Sequence, residues 1–159
     1  MIRQTKITIL VCILALISVV LVGCSRASES QAAKDEIMLK IQLDLNEDIG
    51  LLVIDHDVDG KKGSGGMSNA DKSMLKRNDV LDWSFDRQLY DPSADTVDLT
   101  VRFTVVTEYC DPNYENIYPE EYMVPMEALS FKANFGETYS ITITGDKVNG
   151  YQAALNDLD

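Results

Sequence analysis

The sequence predicts an all-β fold, an antiparallel β-sandwich of about seven strands of the immunoglobulin-like or fibronectin-like type. Short segments alternate apolar and polar side chains with a period of two, turn-forming residues separate these segments, and helical periodicity is nearly absent. The two cysteines that flank a tryptophan in true immunoglobulin domains are missing. A small open barrel is therefore the alternative architecture.

The first two strands are predicted from contrasting patterns. One begins at Ile37 and buries every second residue, whereas residues 50–55 are apolar on both faces, as in the central strand of a sheet. The apolar face of the first strand consists of Ile37, Leu39, Ile41, Leu43 and Leu45.

Residues 60–79 interrupt the alternation, because four glycines are followed by a polar segment. We expect a long glycine-rich loop here, with one short helical turn capped by Ser68 or Asn69. A strand with alternating apolar residues follows at residues 80–86. Trp83, the only tryptophan, is the expected centre of the core.

The second half of the chain continues the same pattern. After a turn at Pro92, residues 97–105 alternate more regularly than any other segment and predict the strongest strand. Further strands are predicted at residues 128–133, 139–143 and 148–155.

The amino-terminal segment is predicted to direct export. An apolar run of 16 residues, from Ile7 to Val22, follows the basic residues Arg3 and Lys6. It is short for a membrane-spanning helix, which needs about 20 apolar residues. An uncleaved amino-terminal helix is the alternative.

The end of this run, Leu21-Val22-Gly23-Cys24, resembles the lipobox of bacterial lipoproteins. The resemblance implies that residues 1–23 are a cleaved signal peptide and that Cys24 carries lipid, with acyl chains such as palmitate. Two acyl chains anchor a protein stably to a membrane. We therefore expect a flexible tether at residues 24–36 and a sandwich at residues 37–159, both on the extracytoplasmic face of the cell membrane.

The charge of the chain limits its partners. It has 14 basic and 26 acidic residues and a net charge of −12; without Arg3 and Lys6, 12 basic residues remain and the net charge is −14. Such acidity argues against nucleic acid as a partner. It also argues against adsorption to an anionic membrane surface, so the lipid on Cys24 is the expected membrane contact.

One acidic segment is a candidate calcium loop. Asp55, Asp57, Asp59 and Gly60 match the opening of such a loop, but the twelfth position is Gly66 instead of a bidentate glutamate. A polar strand end that runs into a hairpin explains the same residues. We expect no metal site, and a calcium-dependent or carbohydrate-binding surface module is the alternative function.

The sequence contains no catalytic constellation that we can identify. His56, the only histidine, is expected on a strand facing solvent, with its sequence neighbours on the opposite face. If Cys24 is lipidated, Cys110 has no intramolecular partner and is expected to be a partly buried thiol. We therefore expect a protein without a cofactor that is not an enzyme.

A tyrosine-rich loop is the candidate ligand-binding site. Tyrosine offers a large contact area at a small cost in conformational entropy, and loops on a rigid scaffold often bind partners. The alternative is that some of these side chains fold back over the open end of the sandwich. We predict a binding module for an envelope protein or peptide. The candidate residues are Tyr109, Tyr114, Tyr118 and Tyr122.

Overall fold

Two β-sheets pack face to face around a single apolar core, which confirms the predicted β-sandwich. A computed structural model describes residues 32–111, 113, 115 and 117–156 of the chain. The predicted signal segment, Cys24 and Tyr114 lie outside these residues. No helix within the described part is long and apolar enough to cross a membrane.

The described residues form nine strands, two more than the sequence suggested. Two short 3₁₀ helices, Arg87–Leu89 and Glu120–Tyr122, lie between strands. The strands are β1 (Glu36–Leu45), β2 (Leu51–Val58), β3 (Lys61–Met67), β4 (Val80–Asp86), β5 (Thr96–Val106), β6 (Met123–Pro125), β7 (Leu129–Asn134), β8 (Thr138–Asp146) and β9 (Gly150–Leu155).

The first sheet has the strand order β4-β1-β8-β9. β1 pairs with β4 in antiparallel orientation and with β8 in parallel orientation, so that Leu39 lies beside both Trp83 and Tyr139. The other named strand pairs of the described residues are antiparallel. One parallel pair therefore joins strands from near the two ends of the domain.

The second sheet has β3 at one edge, followed by β2 and β5. On its other side β5 pairs with two short strands, β6 along Thr104–Val106 and β7 along Thr96–Val101. Between them, the Met126 N–H donates to the Phe103 carbonyl at 2.9 Å. β6 and β7 thus occupy successive parts of one edge.

The core lies where the predicted apolar faces of the strands meet. All five residues of the predicted β1 face are buried, and Phe103 of β5 is fully buried. The prediction that Trp83 forms the centre was wrong, because β4 is an edge strand and Trp83 is only partly buried there. Phe85, two residues further, is the buried aromatic residue of that strand.

The predicted long loop at residues 60–79 was also wrong in its first part. β3 follows β2 through a two-residue turn, in which Asp59 and Gly60 have positive φ values of 49° and 85°. Asp-Gly favours such a hairpin turn because both residues tolerate this conformation. No helix forms between β3 and β4; instead Leu75 makes an isolated bridge with Ile49.

Candidate functional site

The outer face of the second sheet carries aligned rows of mostly small or polar side chains. In an antiparallel sheet, residues that lie opposite each other on neighbouring strands point to the same face. Three such rows cross from β3 over β2 to β5, namely Gly66–Val53–Thr104, Ser64–Asp55–Arg102 and Lys62–Asp57–Thr100.

Two shallow depressions lie on this face and share Asp55. The first has a volume of about 440 Å³. It is lined by the row Gly66–Val53–Thr104 and by Tyr118 and Met123. The second, of about 230 Å³, lies over Asp57, Lys62 and Arg102. Because Asp55 lines both, a ligand on this surface can contact both depressions.

Among the described tyrosines of the loop, Tyr118 reaches this face. It lines the depression of about 440 Å³ and also a neighbouring one of about 140 Å³, where Tyr109 and Leu51 lie. Burial, with a smaller contribution from the Asp111 carboxylate, raises the pKa of the Tyr118 phenol. Its hydroxyl therefore stays protonated at neutral pH and can both donate and accept hydrogen bonds.

The other described tyrosines of the loop lie differently. The Tyr109 hydroxyl donates to the Asp111 carbonyl oxygen at 3.0 Å, and the buried Asp111 side chain accepts from the Glu115 N–H at 2.8 Å. These bonds join near neighbours within the loop. Tyr122 accepts from Thr107 through its backbone carbonyl and lines none of the three depressions.

The acidic segment of the candidate calcium loop forms the β2–β3 hairpin. One carboxylate oxygen of Asp57 accepts from the Gly60 N–H at 2.6 Å, and one of Asp59 accepts from the Asp98 N–H at 2.8 Å. Within the part of the chain that the structure describes, no group of three or more metal-ligating side chains lies together. The hairpin interpretation accounts for these residues.

The prediction of a solvent-facing His56 was wrong. His56 belongs to the series of β2 residues that point inward, together with Leu52, Ile54 and Val58. Its Nε2 lies 2.8 Å from the Tyr90 hydroxyl, and its ring packs edge-on against Phe85.

The glycine opposite His56 makes this inward position possible. The two residues are paired across the β2–β3 ladder, and a Cβ at Gly63 would collide with the imidazole. Burial lowers the pKa of His56, although the Ile54 carbonyl and the carboxylates of Asp55 and Asp57 oppose this effect. Nδ1 is buried, and within the described part of the chain no group meets hydrogen-bond geometry with it. The histidine is therefore part of the packing at this side of the sandwich.

Cys110 is a partly buried free cysteine. Burial raises the pKa of its thiol, and the carboxylates of Asp111, Glu108 and Glu121 raise it further. The thiol therefore stays protonated and is a poor nucleophile.

The residues that β3 contributes to the outer face, Lys62, Ser64 and Gly66, do not follow from the sequence pattern, which predicts a loop at residues 60–79. The signal that could have identified them is Asp59-Gly60, since this dipeptide after an apolar strand indicates a hairpin. The rows themselves depend on the register of three strands, which the sequence does not reveal.

Comparisons with known proteins give structural similarities only. No protein-family model matches the chain, and no curated protein does. An NMR structure of a protein from Eubacterium rectale is 15% identical with a TM-score of 0.42, over 82% of this chain and 99% of that one. A non-hemolytic pneumolysin from Streptococcus pneumoniae is 10% identical with a TM-score of 0.37, over 80% of this chain and 24% of that one.

A third similar structure is the membrane-binding domain of pneumolysin, which is 7% identical with a TM-score of 0.30, over 78% of this chain and 96% of that one.

Proposed function

We propose that this chain is a lipid-anchored bacterial lipoprotein whose β-sandwich binds a protein or peptide of the cell envelope and catalyses no reaction. The lipobox resemblance of residues 21–24 supports the anchor on Cys24 and a location on the extracytoplasmic face of the membrane. The outer face of the second sheet supports the binding role.

The observation that carries the binding role is the depression of about 440 Å³ beside Tyr118. Its lining combines apolar groups of Val53 and Met123 with hydroxyl groups and the Asp55 carboxylate. Protein interfaces use this combination, in which an aromatic residue gives contact area and polar groups fix the orientation of the partner. The open shape suits a surface segment of a partner better than an enclosed small molecule.

The environments of the reactive side chains favour binding over catalysis. His56 has one ring nitrogen bonded to Tyr90 and the other buried, and the Cys110 thiol has a raised pKa. A general base or a nucleophile needs access to substrate and a pKa close to the working pH. The ring nitrogens of His56 are engaged by Tyr90 or buried, and the raised pKa keeps the Cys110 thiol protonated.

A carbohydrate ligand is the second candidate. Tyr118 lies beside the hydroxyl groups of Ser64 and Thr104, and an aromatic ring next to hydroxyl groups is also suited to a sugar. Glycans should therefore be tested alongside proteins.

The first experiment is cross-linking of the tagged full-length protein on intact cells of its own host, with mass spectrometry to identify partners. We expect one main protein partner, recovered both with calcium and with a chelator. Tyr118→Ala should lower its recovery at least fivefold, because the ring borders the depression, whereas Tyr122→Ala should leave recovery unchanged.

Tyr118→Phe separates the ring from the hydroxyl and should retain most of the recovery if contact area dominates. Equal recovery with Tyr118→Ala and wild type would contradict a site on the outer face. If no protein is recovered and a glycan array gives a Tyr118-dependent signal, the carbohydrate alternative replaces the protein partner.

A further inference from the structure

Among the described residues, β3 forms an edge of the second sheet with no further strand paired to it, and its sequence is Lys-Lys-Gly-Ser-Gly-Gly-Met. An edge strand presents unpaired backbone N–H and C=O groups, and natural proteins usually shield such an edge with charge, proline or a bulge. Between Ser64 and Gly66, β3 has none of these. Both residues are exposed.

The hydrogen-bond pattern identifies which backbone groups of β3 face outward. The Asp59 N–H donates to the Asp98 carbonyl at 3.1 Å, so odd-numbered residues of β2 bond to β5 and even-numbered ones bond to β3. Because Ile54 pairs with Gly65, the backbone N–H and C=O groups of the odd-numbered β3 residues point toward β2. Three residues direct both backbone groups at the open edge, namely Lys62, Ser64 and Gly66.

We propose that this edge receives an extended segment of the partner, which adds to the sheet as a further antiparallel strand next to β3. The inference rests on the proposed binding function and specifies how the partner is held. Main-chain hydrogen bonds to Lys62, Ser64 and Gly66 would provide affinity, and alternate side chains of the segment would provide specificity.

On the outer face, the segment would place a side chain opposite Ser64, in the row that contains Asp55. Asp55 forms no ion pair among the described residues, although Arg102 lies opposite it on β5. Ser64 is small, so a lysine or arginine arriving from the β3 side can extend over it toward the carboxylate. The net charge of −12 also attracts a basic partner.

On the opposite face, the segment would place apolar side chains beside Gly63 and Gly65. Trp83 from β4 covers Gly65, since a Cβ there would collide with the indole ring. Side chains next to these glycines therefore meet an aromatic surface. The expected segment has the order apolar, basic, apolar opposite Gly63, Ser64 and Gly65, and it has no basic residue opposite Lys62.

A second copy of the chain fits this edge less well. Pairing of two β3 strands about Ser64 would put one Ser64 opposite the other and leave Asp55 without a cation. It would also bring together two chains that each have a net charge of −12.

The test uses the immobilised full-length protein to select from a displayed library of random decapeptides. We expect peptides with the apolar–basic–apolar order. Ser64→Pro, which removes an outward N–H that β2 does not use, should weaken their binding at least tenfold. Ser64→Ala keeps that N–H and should therefore weaken binding less than Ser64→Pro does. Asp55→Asn should remove the preference for lysine or arginine.

Hydrogen–deuterium exchange at single-residue resolution provides a second measurement that needs no variant. In the free protein the amides of Lys62, Ser64 and Gly66 should exchange faster than those of Gly63 and Gly65, and a selected peptide should protect them.

Several outcomes would overturn strand addition. The first is that the library yields no binding peptide. The second is that the selected peptides bind Ser64→Pro as tightly as Ser64→Ala. The third is that a selected peptide leaves the amides of Lys62, Ser64 and Gly66 unprotected from exchange. Sedimentation could instead show that the chain forms a dimer and that Ser64→Pro abolishes it. The occupant of the β3 edge would then be a second copy of the chain and not a peptide. In each case, a Tyr118-dependent cross-linked partner would leave the proposed function standing. If peptides bind β3 but no cross-linked partner is found, the proposed function is refuted and strand addition is not.

Discussion

At the scale of single residues, His56 connects the second sheet to the segment after β4. Its imidazole packs on Phe85, and its Nε2 lies 2.8 Å from the Tyr90 hydroxyl. A protonated imidazole would have to keep its charge in this apolar setting, and burial therefore lowers its pKa from the ordinary value of 6.5. Proton binding at His56 consequently opposes folding.

This environment predicts a pH dependence of stability. Between the lowered pKa of folded His56 and 6.5, the unfolded chain binds more protons than the folded one, so the free energy of unfolding falls as the pH falls below about 6.5. Thermal unfolding followed by Trp83 fluorescence should give a lower Tm at pH 5.5 than at pH 7.5. His56→Gln should flatten this change.

Tyr90→Phe is the matched control for this prediction, since it removes the hydroxyl and keeps the buried imidazole. Its Tm should still fall with pH. A wild-type Tm that is constant over the same interval would contradict the lowered pKa of His56.

The alternation of Ile54, His56 and Val58 indicates an inward position for His56, although a polar residue between two aspartates also fits an exposed strand position. Two distant residues decide the outcome. Gly63 leaves space above the strand, and Tyr90 supplies a hydrogen-bond partner. Tyr109 and Tyr118 differ for a comparable reason, since the course of their loop determines which of them reaches the sheet.

At the scale of elements, the glycines of β3 serve its two faces differently. On the inner face, Gly63 and Gly65 leave room for the rings of His56 and Trp83. On the outer face, Gly66 has only ordinary contact distances around a hypothetical Cβ, the nearest being 3.8 Å. The inner glycines are therefore required by packing, whereas Gly66 is not.

Alanine substitutions on the two faces should separate these roles. Gly65→Ala should destabilise the domain by about 1–3 kcal/mol, because the new methyl group displaces the indole of Trp83. Gly66→Ala should change stability by less than about 0.5 kcal/mol. Chemical unfolding gives both values, and since Trp83 is the only tryptophan, its emission should shift in Gly65→Ala alone. Equal effects of the two substitutions would contradict the described packing.

Strands with clear alternation were predictable, and those without it were not. β1 and β5 lie where the apolar period of two placed them, because each buries one face in a core that both sheets share. β3 has glycine at three of its seven positions and β6 spans only three residues, so neither has a detectable period. Pairing with β2 and β5 stabilises them as strands despite their weak propensity.

At the scale of the whole molecule, the proposed anchor and the acidic surface act together. Two acyl chains at Cys24 would hold the chain at the membrane, while a net charge of −14 after signal removal would keep the domain away from anionic lipid. Under this proposal the domain would meet its partners in the aqueous phase of the envelope. This arrangement suits a surface that binds other proteins.

Substitution of Cys24 tests the proposed anchor. In its own host, Cys24→Ser should lose incorporation of an alkyne-labelled fatty acid and keep residues 1–23, as shown by intact mass, because cleavage in this class follows lipid attachment to the cysteine. Cys12→Ser is the matched control, since Cys12 lies in the segment that the proposal expects to be removed, and it should be labelled and processed like wild type. Normal labelling of Cys24→Ser would refute lipidation at this residue.

The parallel pairing of β1 with β8 has a consequence for how the chain acquires its structure. Leu39 and Tyr139 are neighbours in the sheet although 100 positions separate them, so the centre of the first sheet can form only after nearly the whole chain is available. Such distant pairings raise the contact order, and domains rich in them fold in milliseconds to seconds instead of microseconds. A chain that crosses the membrane from its amino terminus would therefore stay open until β8 has emerged, with β1 exposed to chaperones and proteases in the interval.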